Sequence, residues 1–146
     1  MNASTIKQEL LSGKPIITQT KGVSMRPLLL EGKSYVVVES VNRDLQVGDL
    51  PLFIRSDGSY IIHRLVKIEG NRYYTLGDNC FNGEVSTREQ IIGVVKEINR
   101  KGVLFSVNNK KYLRYSSFWM KTSAIRIFIL RTKYKLRRLI KGLLRK

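Results

Sequence analysis

The 146-residue chain is long enough for one domain with its own core, and too short to expect a second full domain. Its formal charge of +16 is uneven: all 11 acidic residues lie at or before Glu97, against 12 Lys and Arg, whereas the last 49 residues carry 15 Lys and Arg and no acid. One cysteine and one histidine exclude an internal disulfide and argue against a Cys/His metal cluster, so no cofactor is expected.

A near-neutral body therefore carries a basic tail, which suits anionic partners such as phospholipid headgroups or nucleic acid. Residues 1–20 show no apolar core behind a basic start, and no run reaches 18 apolar residues, so neither a signal peptide nor a transmembrane helix is expected.

In chain order, Thr5 and Gln8 have capping-box spacing and Gly13 is a stop, which predicts a short helix over residues 5–11. Strands follow from Ile16 onward: a β-branched run at 35–38, an apolar stretch at 51–55, and a hairpin turn at Ser56-Asp57-Gly58-Ser59. Residues 60–69 read as the next strand, with Ile61, His63 and Leu65 on one face and Ile62, Arg64 and Val66 on the other.

Gly70-Asn71 turns the chain into a strand at 73–76, and the polar stretch 81–89 reads as a loop. Residues 91–98 and 103–107 form a final hairpin. From 117 to 146 the apolar period becomes helical, with Lys and Arg between, which predicts a basic amphipathic helix of roughly 20 residues capped by Thr122 or Ser123. The expected organisation is an N-terminal segment at 1–20, a β domain at 21–108 and a helical tail at 109–146.

Three residue types for nucleophilic chemistry fall within this β region. A serine hydroxyl needs a neighbouring base to attack a carbonyl. His63 can accept and return that proton near neutral pH. Arg64 is permanently protonated, and Lys67 could be a base only if burial lowered its pKa. Gly22 and Pro27 confine the backbone around Ser24. If Ser24 opens a helical turn through residue 30, unpaired amides there can stabilise an oxyanion. Asp78, on a tight Gly77-Asp78-Asn79 connection, can orient an imidazole or cap its own turn. Asp49 reads as a turn residue and Cys80 as incidental.

The ordered set Ser24-Met25-Arg26-Pro27, Gly48-Asp49, His63-Arg64 and Gly77-Asp78-Asn79 resembles the signal peptidase family of serine proteases, over roughly residues 22–97. Histidine as the base makes the chain similar to the endoplasmic-reticulum and Gram-positive sporulation branch; the common bacterial enzymes and the SOS-response repressors have lysine there. The resemblance implies a mainly β core of the signal peptidase and repressor-protease type, with Ser24 as nucleophile, His63 as general base and a backbone amide, here that of Ser24, as oxyanion donor. It implies acids at position 78 and six residues later at Glu84, either of which can orient His63. Asp78 ranks first because its motif is intact.

No hydrophobic anchor is expected ahead of the serine, which differs from the signal peptidases that the chain resembles. The expected function is a serine endopeptidase removing a leader or signal segment from an exported peptide. The expected setting is cytoplasmic, at the inner membrane face, with residues 117–146 against anionic lipid; nucleic acid ranks below lipid because bulky aliphatics stand where base readers are needed. The alternative is a catalytically silent binding module acting through the tail.

Overall fold

A computed structural model describes residues 3–144. It is mainly β, two antiparallel sheets forming a curled half-barrel with helices at both ends. Helix α1 (Ala3–Leu11) precedes strands β1 (Ile16–Gln19), β2 (Ser34–Glu39), β3 (Pro51–Ile54), β4 (Tyr60–Ile62), β5 (Arg64–Glu69), β6 (Arg72–Leu76), β7 (Glu84–Ser86), β8 (Ile91–Arg100) and β9 (Val103–Ser106). Helices α2 (Lys110–Lys121) and α3 (Ser123–Leu143) complete the chain.

The larger sheet runs β1-β2-β8-β3-β4. Strand β8 gives one edge to β2 and divides the other, pairing β3 along Ile91–Val94 and β9 along Glu97–Arg100. β1, β4 and β9 end the three branches of this sheet. The smaller sheet is β5-β6-β7. Alternation explains the strands where one face is wet: along β2, Ser34, Val36 and Val38 are buried while Tyr35 is exposed.

Two apolar clusters fill the interior. One joins Leu10 of α1, Ile16 of β1, Val36 and Val38 of β2, and Met25, Leu28 and Leu29 of the serine loop; the other centres on Phe53, Leu65 and Ile91. The first also takes in Tyr112 of α2. Residues 1–20 and 109–146 are therefore not simple appendages: α1, β1 and α2 all contribute to the body's core.

Three local predictions change. Helix α1 begins at Ala3, so Thr5 lies within its first turn instead of at its cap, while Gly13, at φ +79°, does end it. The tail is two helices. Asn109 accepts from the Lys111 amide to cap α2, and Thr122 donates to the Phe118 carbonyl, closing α2 without a side-chain cap on α3. The stretch 81–89 contains β7 and a single 3-10 turn at Arg88–Gln90.

The largest change falls at residue 63. Residues 60–69 are not one strand: the chain leaves the larger sheet after Ile62 and enters the smaller at Arg64. His63 is the corner. Strand alternation fails across a corner, so His63, Arg64 and Leu65 are all buried.

Candidate active site

Ser24 lies in a turn that one i→i+4 bond, Leu29 N–H to the Met25 carbonyl at 2.9 Å, begins to coil; a cis Arg26–Pro27 peptide follows the serine within it. Regular helix is not formed over 24–30. Burial of Met25, Leu28 and Leu29 anchors the turn, while Ser24 itself stays partly exposed. Among the described residues nothing accepts the Ser24 amide proton or hydrogen-bonds its hydroxyl.

The Gly77-Asp78-Asn79 connection is strapped onto this turn. Asn79 donates its amide to the Ser24 carbonyl at 2.7 Å and its Nδ2 to the Val23 carbonyl at 3.2 Å. Gly77 explains itself by contact: a Cβ there would stand 2.7 Å from the Ser24 carbonyl, 2.7 Å from Cys80 Sγ and 3.2 Å from His63 Nε2. The Ser24 backbone and the Nε2 edge of His63 thus border one small volume, which only glycine leaves open.

On the other edge of the ring, His63 Nδ1 lies 3.3 Å from Glu84 Oε1. That separation is within ion-pair range, but the alignment falls short of a hydrogen bond, so Nδ1 has no hydrogen-bond partner among the described residues. Glu84 is itself gripped by Arg55, whose Nε and Nη2 donate to Oε2 at 2.6 Å and to Oε1 at 2.5 Å. Phe53 meets the imidazole edge-on, with ring centroids 6.2 Å apart.

Burial lowers the His63 pKa from its ordinary value; Glu84 opposes this, Arg55 adds to it and Asp78 opposes it. The ring is therefore neutral at pH 7, the state a general base needs. Hydrogen bonding from Arg55 lowers the Glu84 pKa, which keeps that carboxylate charged.

Asp78 is directed elsewhere. Its Oδ1 and Oδ2 accept from Arg64 Nε and Nη2, both at 2.8 Å, and Oδ2 also accepts from the Tyr115 hydroxyl at 3.2 Å. Arg64 Nη1 donates to the Ser116 hydroxyl at 2.7 Å, the Tyr112 hydroxyl at 3.1 Å and the Gly48 carbonyl at 3.3 Å. Glu84 thus faces His63, whereas Asp78 neutralises a buried arginine and ties α2 to the loop beside Ser24.

The weaker candidates separate cleanly. Lys67 is 59 % exposed and paired to Glu69 at 2.5 Å, which raises its pKa, so it is no base. Burial, then Glu84 and Asp78, push the Cys80 thiol pKa up, away from a nucleophilic thiolate. Asp49 organises its turn by accepting from the Gln46 amide at 2.8 Å and from Arg43. Two participants escaped the sequence reading. Arg55 lay at the end of a predicted strand with no motif around it, and Arg64 was weighed only as a base. Nothing in the residues around Arg64 marks its role, since the strand break beside it is set by tertiary geometry.

A cleft of about 220 Å³ opens beside the serine. Thr18 and Gln19 of β1 line one wall, Tyr60, Ile61 and Ile62 of β4 another, and Ser24 borders it. No family model and no curated protein matches the chain.

Proposed function

We propose that the chain is a serine endopeptidase that removes a leader or signal segment from an exported peptide, with Ser24 as nucleophile and His63 as general base. The observation that carries this is the shared volume at Gly77, where the Ser24 backbone and His63 Nε2 converge while a charged carboxylate stands at Nδ1. In the proposed reaction the Ser24 hydroxyl attacks the scissile carbonyl as Nε2 takes its proton, and the Ser24 amide donates to the resulting oxyanion. His63 then protonates the leaving amine and draws a proton from water to release the acyl-enzyme.

Glu84, with its pKa held down by Arg55, fits the orienting role better than Asp78 because it stands at the ring nitrogen facing away from Gly77. The cleft between β1 and β4, beside Ser24, supports a polypeptide substrate, because an extended segment can lie along the strands that wall it. The proposed setting is cytoplasmic, and recovery of the native protein wholly outside the cytoplasmic and inner-membrane fractions would refute it.

A phosphonate probe directed at nucleophilic serines tests the chemistry without knowledge of the substrate. Labelling at Ser24 is expected in the parent chain, none in Ser24→Ala, and strongly slowed labelling in His63→Ala, with all three folded by circular dichroism. Equal labelling of the parent and Ser24→Ala chains would sink the assignment.

A further inference from the structure

Helix α3 touches the body with one side only. Ser123, Arg126, Ile127 and Leu130 are partly buried. Arg126 Nη1 donates to the Asp78 carbonyl at 2.8 Å, and the Tyr134 ring lies 5.5 Å from that of Phe81. At 3.6 residues per turn these five positions share one side of the helix.

The opposite side is apolar. Ile125, Phe128, Ile129, Leu136, Leu139 and Leu143 project there within an arc roughly 100° wide, each between 56 % and 75 % exposed. Lys133 borders the arc on one flank, Lys135 and Arg131 on the other, and α3 contains no acidic residue. A helix packed on a water-facing body turns its apolar stripe inward; this one turns it outward.

We propose that this stripe is a docking face for an anionic phospholipid bilayer, with α3 lying in the headgroup layer between lipid and body. Cations flanking an apolar arc meet lipid phosphates while the leucines enter the acyl boundary. A nucleic acid would engage the cations but leave the leucines in water. A second copy of the chain would set one acid-free tail against another. No helix among the described residues is long and apolar enough to cross a membrane, so the contact is one of lying on the surface.

The position has a consequence for the serine site. Because Arg126 and Tyr134 hold α3 to the segment carrying Asp78 and Phe81, docking would set that segment at a fixed height above the lipid. The docking face stands whether or not Ser24 is a nucleophile.

The test uses the full chain, sedimented with vesicles of phosphatidylcholine alone or with about 30 mol % phosphatidylglycerol, beside titrations with a labelled single-stranded RNA and a DNA duplex. Binding to the anionic vesicles is expected to be about tenfold tighter than to neutral ones, and to weaken with salt. The double variant Leu136→Asn/Leu139→Asn keeps every charge and should lose about tenfold in vesicle affinity with an unchanged Tm. Arg131→Gln/Lys135→Gln should lose affinity and much of the salt dependence. Ser24→Ala should bind vesicles as the parent does, which separates failure here from failure of the peptidase assignment.

Equal binding of the double Asn variant and the parent would overturn the proposal, as would equal binding to neutral and anionic vesicles. Tighter binding to an oligonucleotide that survives the Asn substitutions would do the same. A large fall in Tm on those substitutions would remove its premise, that the stripe is unpacked.

Discussion

Two arginine–carboxylate pairs flank His63, and they differ in burial and in what else they hold. Arg64–Asp78 is closed from solvent, with side chains 2 % and 1 % exposed, and its spare donors are consumed by Tyr112, Ser116 and Gly48. Arg55–Glu84 is more open, at 39 % and 29 %, and one of its oxygens also lies within ion-pair range of the imidazole. Similar chemistry serves different ends. The buried pair fixes helix α2 against the loop beside Ser24, whereas the open pair presents a charged carboxylate to a ring that burial keeps neutral.

The sharpest way to break this comparison is to remove one charge from the buried pair. Asp78→Asn should leave Arg64 charged and uncompensated, at a cost of about 3–5 kcal/mol, read as a lower urea midpoint. Replacing Arg64 by Met and Asp78 by Leu together should recover part of that loss, since no charge is then buried. If Asp78→Asn leaves the midpoint unchanged, the pair is not the clamp described.

Glu84→Gln should do the reverse, costing turnover and little stability. A loss of about 100-fold in kcat, equivalent to ~2.7 kcal/mol of barrier, is expected if the carboxylate holds the imidazole and stabilises its protonated form. Because this pair is substantially exposed, the accompanying change in folding stability should stay within about 1 kcal/mol. An undiminished kcat would reduce the site to a serine–histidine dyad.

A finer measurement separates the two members of the open pair. The acid limb of the kcat/KM profile reports the free enzyme's base and should lie below the ordinary histidine value, since burial lowers the His63 pKa. Glu84 opposes that shift and Arg55 reinforces it, so Glu84→Gln should move the limb to lower pH and Arg55→Gln to higher pH. Movement of both in the same direction would contradict the electrostatic assignment.

Much of this arrangement was legible in the residues alone. β-Branched runs and turn residues identified most strands, because a half-buried antiparallel sheet imposes its period of two on the sequence, as in Val36 and Val38. Ser24 and His63 were named from residue type and motif order, and Glu84 only from the family resemblance. The features that escaped depended on tertiary geometry. The corner at His63 has no marker in Ile61-Ile62-His63-Arg64-Leu65, since a strand changing sheets keeps strand-forming residues throughout. The choice between Asp78 and Glu84 turned on which arginine each meets, and Arg64 and Arg55 are alike in sequence. Helical period and the expected cap placed the start of α3 at Thr122–Ser123 but did not resolve α2 as a separate helix before it, and the Thr122 hydroxyl turns back to Phe118 instead of capping α3.

The smallest expected effect is on the pH dependence of stability, and its sign comes from the buried ring. The folded-state pKa of His63 lies below its ordinary 6.5, so above that value both folded and unfolded chains hold the ring neutral and it contributes no pH dependence. As pH falls below 6.5, the unfolded chain takes up a proton that the folded chain still refuses, and stability declines until the folded ring also titrates. Glu84 acts lower. Its folded pKa lies below the ordinary 4.5, so its stabilising contribution is complete above 4.5 and is lost only as pH falls through the depressed value. Urea titrations across this range should show a decline that begins below 6.5 in the parent chain. His63→Gln should flatten that upper segment and leave the decline below 4.5 in place. If the upper segment survives in His63→Gln, the buried imidazole is not its source, and the neutral base inferred for the site loses its independent thermodynamic support.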